Sequence, residues 1–187
     1  ALASSLKAYI CGNIGNPVME CISDNAELYI VELSSYQLDY TNKLDLFAGV
    51  ITNISPDHLD RYSSYSNYIS SKLSIYDYSM FNIINLNEPE VNGISGDNFF
   101  SIEKNESKCD FFASKKDNLY EVFHQGKVLM TSDDLLVVGK HNIENMLASL
   151  TLGYRFGLSV NTMKEAAIEF KGLVHRLEFV STINQVD

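Results

Sequence analysis

Continuous apolar runs separated by segments of helical pattern constrain the fold of this chain more than any other feature. Four such runs occur in the first half of the sequence, at residues 8–11, 28–33, 47–51 and 81–86. Because polarity does not alternate within them, the runs are typical of strands covered on both faces, as in parallel sheets. Strands that alternate with helices predict βαβ units, and hence an α/β fold with a mostly parallel sheet flanked by helices.

The remainder of the chain changes character twice. Residues 88–138 contain short apolar runs separated by turn residues, with a tight hairpin at 123–127, and this pattern predicts a small antiparallel sheet. Apolar spacing and end signals predict three helices and one further strand. These predicted elements are helices at 65–78, 141–157 and 159–170, and a strand at 174–183.

Composition restricts the class of protein. At 187 residues, of which 45% are hydrophobic, the chain is long enough for one domain with a substantial core. Its formal net charge of −10 argues against binding to a nucleic-acid backbone. The sequence shows neither an apolar stretch of membrane-spanning length nor a signal peptide, so we expect a cytoplasmic protein. Three cysteines without paired spacing, Cys11, Cys21 and Cys109, are expected to be reduced packing thiols.

Both ends of the chain have the pattern of cuts inside a longer protein. Residues 1–7 resemble the tail of a helix and contain no initiator Met, and residues 185–187 directly follow a strand-like run. We therefore expect residues 1–187 to form one domain that is truncated at both ends, with 88–138 as a subregion within it.

Polar side chains follow two of the apolar runs. Glu32 lies at the end of one run, and His58 follows the next within the segment 53–62. Open parallel sheets bind ligands at the carboxyl ends of their strands, so we expect both residues at that edge, on neighbouring strands. A carboxylate, hydroxyls and an imidazole in one place favour metal–phosphate chemistry. The alternatives are a Glu32 that meets solvent or a lysine, and a Ser34 that only caps a helix.

Other polar positions carry weaker signals. Residues 12–17 include two glycines that permit a sharp turn, which suits a ligand or an ordinary strand-to-helix connection equally well. Lys72 falls outside the apolar stripe of its helix, and spacing alone predicts a solvated lysine. Arg61 is expected to pair with Asp57 or Asp60.

Two later segments offer groups for a nucleotide. Asn142 and Asn145 are three residues apart at a helix start, so they share a face and can bind a base edge or a phosphate; the alternative is that Asn142 is merely a cap. Arg176 offers a guanidinium to a phosphate oxygen, or a surface salt bridge to Glu178.

Taken together, these segments resemble the central domain of the Mur ligase family. The resemblance runs in order along nearly the whole chain and is weakest over 88–134. It is carried by residues 12–15, 32–38, 53–62, 72–76, 139–145 and 172–178. The string Glu-Leu-Ser-Ser-Tyr-Gln-Leu at 32–38 favours the member that adds D-glutamate to UDP-N-acetylmuramoyl-L-alanine in peptidoglycan synthesis. The resemblance implies a P-loop-type sheet and a fragment of a three-domain ligase.

The resemblance also implies roles for individual residues. Glu32 would help to hold Mg²⁺ on the phosphates of ATP, His58 would serve a second Mg²⁺, and Lys72 would be carbamylated into a third, carboxylate-like ligand. Magnesium prefers oxygen ligands, and a lysine reacts with carbon dioxide only while it is neutral. The implied binding residues are Asn13, Ser34 and Gln37 for the muramoyl substrate, and Asn142, Asn145 and Arg176 for the nucleotide.

The implied reaction begins when the alanyl carboxylate attacks the γ-phosphate of ATP and forms an acyl phosphate. The amine of D-glutamate then displaces phosphate, with magnesium and cationic side chains stabilising the charge. The chain contains no Gly-x-x-Gly-Lys-[Ser/Thr] phosphate loop, which the resemblance places upstream of Ala1. With that loop and the amino- and carboxyl-terminal domains missing, we expect the fragment to fold, to leave apolar sheet surface uncovered and not to catalyse ligation alone.

Two alternatives remain open at the level of sequence. The chain could belong to another superfamily member, such as a folylpolyglutamate synthase or a different Mur ligase, or it could be a non-catalytic nucleotide-binding module. The ligase interpretation makes one spatial prediction: Glu32, His58 and Lys72 converge around a common pair of divalent cations.

Overall fold

The computed structural model describes residues 7–23, 25–57, 60–103, 106–137 and 139–172. Its strands are β1 (Ala8–Gly12), β2 (Leu28–Glu32), β3 (Leu46–Val50), β4 (Ser79–Asn85), β5 (Asn98–Ile102), β6 (Phe111–Lys116), β7 (Leu119–His124) and β8 (Lys127–Thr131). Its α-helices are α1 (Val18–Cys21), α2 (Ser35–Asp39), α3 (Tyr65–Leu73), α4 (Lys140–Arg155) and α5 (Val160–Glu169). Short 3₁₀ turns occur at Ser74–Tyr78, Pro89–Val91, Glu106–Lys108 and Ser132–Asp134.

The strands form two sheets. β1 and β2 make a small parallel sheet, and the other six make a sheet of order β3-β4-β5-β6-β7-β8. The pairs from β3 to β6 are parallel, and the pairs β6–β7 and β7–β8 are antiparallel. The predicted α/β fold with a mostly parallel sheet is confirmed. The antiparallel strands extend this sheet instead of forming a separate one, because β6 pairs in parallel with β5 through Phe100 and Phe111.

The predicted hairpin lies between β7 and β8. His124 pairs with Lys127, so that only Gln125 and Gly126 form the turn, and both have positive φ, 50° and 73°. Two consecutive left-handed residues match the twist of antiparallel strands in a two-residue turn.

Helices cover both faces of the larger sheet. Ile83 faces the core under α4 and α5, together with Phe100 and Leu147, whereas the next residue, Ile84, packs with Tyr68 of α3. Successive side chains of a strand point to opposite faces, so a strand that is covered on both must be apolar throughout. This explains the continuous apolar run of β4.

The helices differ slightly from their predicted bounds. α3 ends at Leu73 and continues as the 3₁₀ turn Ser74–Tyr78, so the predicted helix at 65–78 consists of two parts. Side-chain caps at Ser34, Ser64 and Ser159 fix the starts of α2, α3 and α5. The strand predicted at 174–183 lies outside the described residues.

The prediction that the strands of Glu32 and His58 are neighbours is wrong in the part of the chain that the structure describes. There β2 pairs with β1, β3 pairs with β4, and no ladder joins β2 to β3. An apolar run identifies a strand but contains no information on its pairing partner. Large apolar side chains are exposed on these strands, in agreement with the expected uncovered surface. They are Tyr9, Ile10, Tyr29, Ile30, Phe47 and Met80.

Two further features concern the cysteines and the length of the helices. Cys11, Cys21 and Cys109 form no disulfide, and the first two are buried and the third half-buried, as predicted for packing thiols. Among the described helices, none combines the length and the apolar character that a membrane crossing requires.

Tyr76 supports a prediction about stability at high pH. Its buried hydroxyl accepts a hydrogen bond from the Ile51 amide (3.3 Å) and donates one to the Ile83 carbonyl (3.2 Å), and burial raises its pKa to about 12. An unfolded tyrosine ionises near its ordinary pKa of about 10. Between these values the unfolded chain binds fewer protons, so the free energy of unfolding should fall by about 1.4 kcal/mol per pH unit, about 2–3 kcal/mol in all.

The free energy of unfolding of Tyr76→Phe should lack this pH dependence. At neutral pH it should be lower than that of the wild type by about 1–3 kcal/mol, because the Ile51 amide and the Ile83 carbonyl each lose a hydrogen bond. Urea unfolding of both proteins from pH 7 to 12 measures the difference and cancels the contribution of other tyrosines. Parallel pH profiles for the two proteins would contradict the prediction.

Candidate active site

Glu32 ends β2 at a point where the neighbouring chain is folded onto it. Gly12 of β1 is its register partner, and the backbone N–H of Asn13 donates to the carbonyl oxygen of Glu32 over 2.8 Å. The Asn13 side-chain amide also donates to the Glu32 carboxylate, with 3.1 Å between Nδ2 and Oε1. Gly12 has a φ of 113°, and a Cβ there would collide with the Glu32 carbonyl oxygen, so glycine permits this close approach.

Lys72 lies in the last turn of α3 and is half-buried, unlike the solvated lysine that its spacing predicted. Its Nζ is 5.4 Å from the centre of the buried Tyr68 ring. Burial lowers the pKa of Lys72, and the charges of Asp57 and Glu32 oppose that shift. Both carboxylates therefore act electrostatically on this amine. Glu32 does so from the small β1–β2 sheet, whereas α3 packs against the larger sheet.

The predicted convergence of Glu32, His58 and Lys72 on a common pair of cations stays a prediction. The structure brings Glu32 and Lys72 into electrostatic reach, with Asp57 as an additional carboxylate that sequence reasoning had treated as a partner for Arg61. His58 lies outside the described residues, so its place in the site remains a prediction. Within the described ranges, no three His, Cys, Asp or Glu side chains are grouped as a metal cluster.

Ser34 and Gln37 form a capping box at the start of α2. The Ser34 hydroxyl accepts a hydrogen bond from the backbone N–H of Gln37 over 3.3 Å. The side-chain Oε1 of Gln37 accepts one from the backbone N–H of Ser34 over 2.8 Å. The hydroxyl of Ser34 lies 3.0 Å from the same Oε1. The alternative interpretation of Ser34 as a cap is thus observed. A role of either residue in substrate binding remains a prediction. A substrate would have to bind to the Ser34 hydroxyl or to Gln37 Oε1 while these groups also form the capping box.

The predicted nucleotide residues lie on a different element. Asn142 and Asn145 belong to the first turns of α4, but the cap of this helix is Gly139, with a φ of 97°, so the interpretation of Asn142 as the cap is wrong. Asn142 is half-buried and Asn145 is exposed. Arg176 and Glu178 lie outside the described residues. The nucleotide-binding role of Asn142, Asn145 and Arg176 stays a prediction.

A cluster around Arg61 was missed by sequence reasoning. Its guanidinium carbon lies 4.3 Å from the centre of the Tyr36 ring and 5.5 Å from that of Tyr40, and Nη2 is 3.8 Å from Asp39 Oδ2. The three partners lie on one side of α2. Asp39 and Tyr40 follow Tyr36 by three and four residues, a spacing that places side chains on one side of a helix. This spacing, together with the later Arg61-Tyr62 pair, was the signal in the sequence that could have identified the cluster.

Comparison with known proteins agrees with the fold and the motifs. The sequence model of the Mur ligase middle domain matches residues 16–153. The UDP-N-acetylmuramoylalanine–D-glutamate ligase of Marinobacter nauticus is 34% identical over 190 residues, covering 100% of this chain and 43% of the relative. The enzyme of the same name from Coxiella burnetii (strain Dugway 5J108-111) is 32% identical over 186 residues, covering 99% and 42%. The chain thus spans about two fifths of the length of these curated relatives.

Solved structures show the same fold at lower identity. The pseudomurein peptide ligase type C of Methanothermus fervidus superposes with a TM-score of 0.66 at 16% identity, over 83% of this chain and 41% of that one. UDP-N-acetylmuramate-alanine ligase MurC of Thermotoga maritima gives 0.62 at 18% identity, over 96% and 48%. With a family match over most of its length and the same fold as these ligases, the chain belongs to the Mur ligase middle-domain family.

Proposed function

We propose that the protein to which this chain belongs is an ATP-dependent, cytoplasmic ligase that joins D-glutamate to UDP-N-acetylmuramoyl-L-alanine. Residues 1–187 would be its central, ATPase domain, with 88–138 as a subregion, and the same protein would supply a phosphate loop and two further domains. Similarity to relatives of that name over the whole chain supports the substrates. The observation that carries the proposal is the environment of Lys72, whose half-buried amine lies 5.4 Å from the Tyr68 ring centre, with Glu32 and Asp57 near enough to act on its charge.

The residues present suit magnesium. Glu32 and Asp57 offer carboxylate oxygens, which are the ligands that Mg²⁺ prefers, and carbamylation would convert Lys72 from a cation into another oxygen donor. We propose that Glu32 and Lys72, with His58, hold two magnesium ions. When bound, these ions would neutralise the charge that separates a carboxylate nucleophile from the triphosphate.

The surroundings of Lys72 favour its modification. Carbamylation requires the neutral amine, whose nitrogen attacks carbon dioxide and then loses a proton. Burial against Tyr68 disfavours the ammonium form and so increases the neutral fraction at a given pH. Asn13 holds the Glu32 carboxylate in place through its side-chain amide. Fixing a ligand's orientation in this way is the usual function of hydrogen-bond partners around a metal site.

Chemistry would proceed in two steps. The alanyl carboxylate would attack the γ-phosphorus and release ADP, and the resulting acyl phosphate would be attacked by the amine of D-glutamate, with release of inorganic phosphate. Asn13, Ser34 and Gln37, all close to Glu32 in sequence or by contact, are proposed to contact the muramoyl substrate. We assign Asn142, Asn145 and Arg176 to the nucleotide.

Release of ADP by the full-length protein tests this function. UDP-N-acetylmuramoyl-L-alanine and ATP are supplied with D-glutamate, L-glutamate, L-alanine or L-lysine, and a folate acceptor with L-glutamate serves as a separate arm. We expect release of ADP and product formation in equal amounts with D-glutamate alone. Preference for another amino acid or for the folate arm would identify a different superfamily member. ATP binding without ADP release in any arm would identify a non-catalytic module.

A further inference from the structure

Arg61 and Tyr62 pack against one side of α2, and the shortest of these contacts is a hydrogen bond from the Tyr62 hydroxyl to Asp39. Tyr62 donates a hydrogen bond to Asp39 Oδ2 over 2.7 Å, and its ring stacks on Tyr36 with 6.4 Å between the ring centres. A bond from a hydroxyl to a carboxylate is charge-assisted and about twice as strong as a neutral one. The Arg61–Asp39 pair, at 3.8 Å with both side chains partly exposed, contributes less.

The same hydroxyl connects α2 to the helix that carries Lys72. Tyr62 Oη lies 3.4 Å from the hydroxyl of Ser71, and Ser71 donates to the backbone carbonyl of Ser35 over 3.0 Å. Ser71 directly precedes Lys72 in α3, and Ser35 begins the helix that follows Glu32. A short chain of contacts therefore runs from the element after Glu32 to the element of Lys72.

This connection has a geometric consequence, because no strand ladder joins the two sheets in the described part of the chain. The distance between Glu32 on β2 and Lys72 on α3 is therefore set by side-chain packing, chiefly that of α2 against α3. Packing without a ladder permits sliding, and Tyr62 lies in this contact, touching both α2 and α3.

We propose that Tyr62, assisted by Arg61, is a positioning residue that fixes Glu32 and Lys72 relative to each other, and so determines how tightly the site binds a divalent cation. The proposal rests on one part of the proposed function, namely that these two side chains share a metal site, and it does not depend on which substrates are joined. Tyr62 touches no reacting atom in this role and acts only through α2 and α3.

The test measures metal binding directly, with Mn²⁺ as the probe. The full-length protein with ADP is titrated with Mn²⁺, and free Mn²⁺ is followed by electron paramagnetic resonance. Tyr62→Phe removes the hydroxyl and keeps the ring, and we expect its Mn²⁺ affinity to fall about tenfold. The matched control is Tyr29→Phe, which removes a hydroxyl bonded to the Ser23 amide (2.9 Å) within the small β1–β2 part and should stay within about twofold of the wild type.

Thermal unfolding is recorded for every variant, so that lost metal affinity can be separated from lost structure. If Tyr62→Phe does not fold, Arg61→Lys decides instead, since it keeps the cation but loses the planar stacking on Tyr36, and it should also weaken Mn²⁺ binding. Unchanged affinity in a folded variant overturns the proposal, as does an equal loss in Tyr29→Phe. A wild type that binds Mn²⁺ but forms no ligation product refutes the proposed function and leaves the positioning role standing.

Discussion

Replacing Lys72 with arginine in the full-length protein should lower the rate of ligation by about 10²- to 10³-fold, and replacement with alanine should lower it equally. Arginine keeps the positive charge and much of the length of the side chain, but it cannot form the carbamate. Burial lowers the pKa of this half-buried amine, which favours the neutral form that carbon dioxide requires, and carbamylation would replace a cation with a metal-binding anion. Steady-state rates of product formation for both variants measure the effect.

A matched control is Lys116→Arg, at an exposed lysine of β6 that pairs with Glu121 over 3.4 Å, and this variant should retain wild-type rates. Activity of the wild type should also fall reversibly when the protein is equilibrated in buffer freed of carbon dioxide. If Lys72→Arg kept most of the activity while Lys72→Ala lost it, a cation at this position would be the requirement, and the carbamate would be excluded.

Strand positions were predictable from the sequence because the strands are continuous apolar runs, whether both faces are covered, as in β4, or apolar side chains are exposed, as at Tyr29 and Ile30 of β2. The apolar run at 28–33 corresponds to β2 at Leu28–Glu32, and the run at 81–86 corresponds to β4 at Ser79–Asn85. Pairing was not predictable in the same way. The apolar residues of β2 show which side chains suit the faces of a sheet, but pairing uses backbone hydrogen bonds at the edges of the strand. The run therefore does not distinguish pairing with β1 from pairing with β3.

The environment of Lys72 could not be predicted locally. Spacing along α3 shows which side of the helix a residue lies on, but not what approaches that side from elsewhere. The burial and the opposing charges come from Tyr68 on the same helix and from Asp57 and Glu32 on distant segments. Only the family resemblance singled out Lys72 in the sequence. By contrast, the face of α2 that receives Arg61 was present in the spacing of Tyr36 and Tyr40.

Glu32→Gln should produce a second large loss, about 10²-fold in ligation rate, together with a rise in the Mg²⁺ concentration needed for half-maximal activity. Glutamine keeps an oxygen that can accept the hydrogen bond from Asn13, so the orientation of the side chain is retained while its charge is removed. A neutral amide is a weaker ligand for a divalent cation than a carboxylate.

The effect of Glu32→Gln on Lys72 separates metal binding from carbamylation. Glu32 raises the pKa of Lys72, so its removal should lower that pKa further and favour the neutral amine that carbon dioxide requires. Carbamylation should therefore persist in Glu32→Gln, and added Mg²⁺ should restore part of the lost rate. Glu27→Gln is the control, since Glu27 accepts from the Lys7 amide over 2.8 Å just before β2 begins. A Mg²⁺ dependence of Glu32→Gln equal to that of the wild type would mean that Glu32 binds no metal, and the site would then have to be built around Lys72, His58 and Asp57.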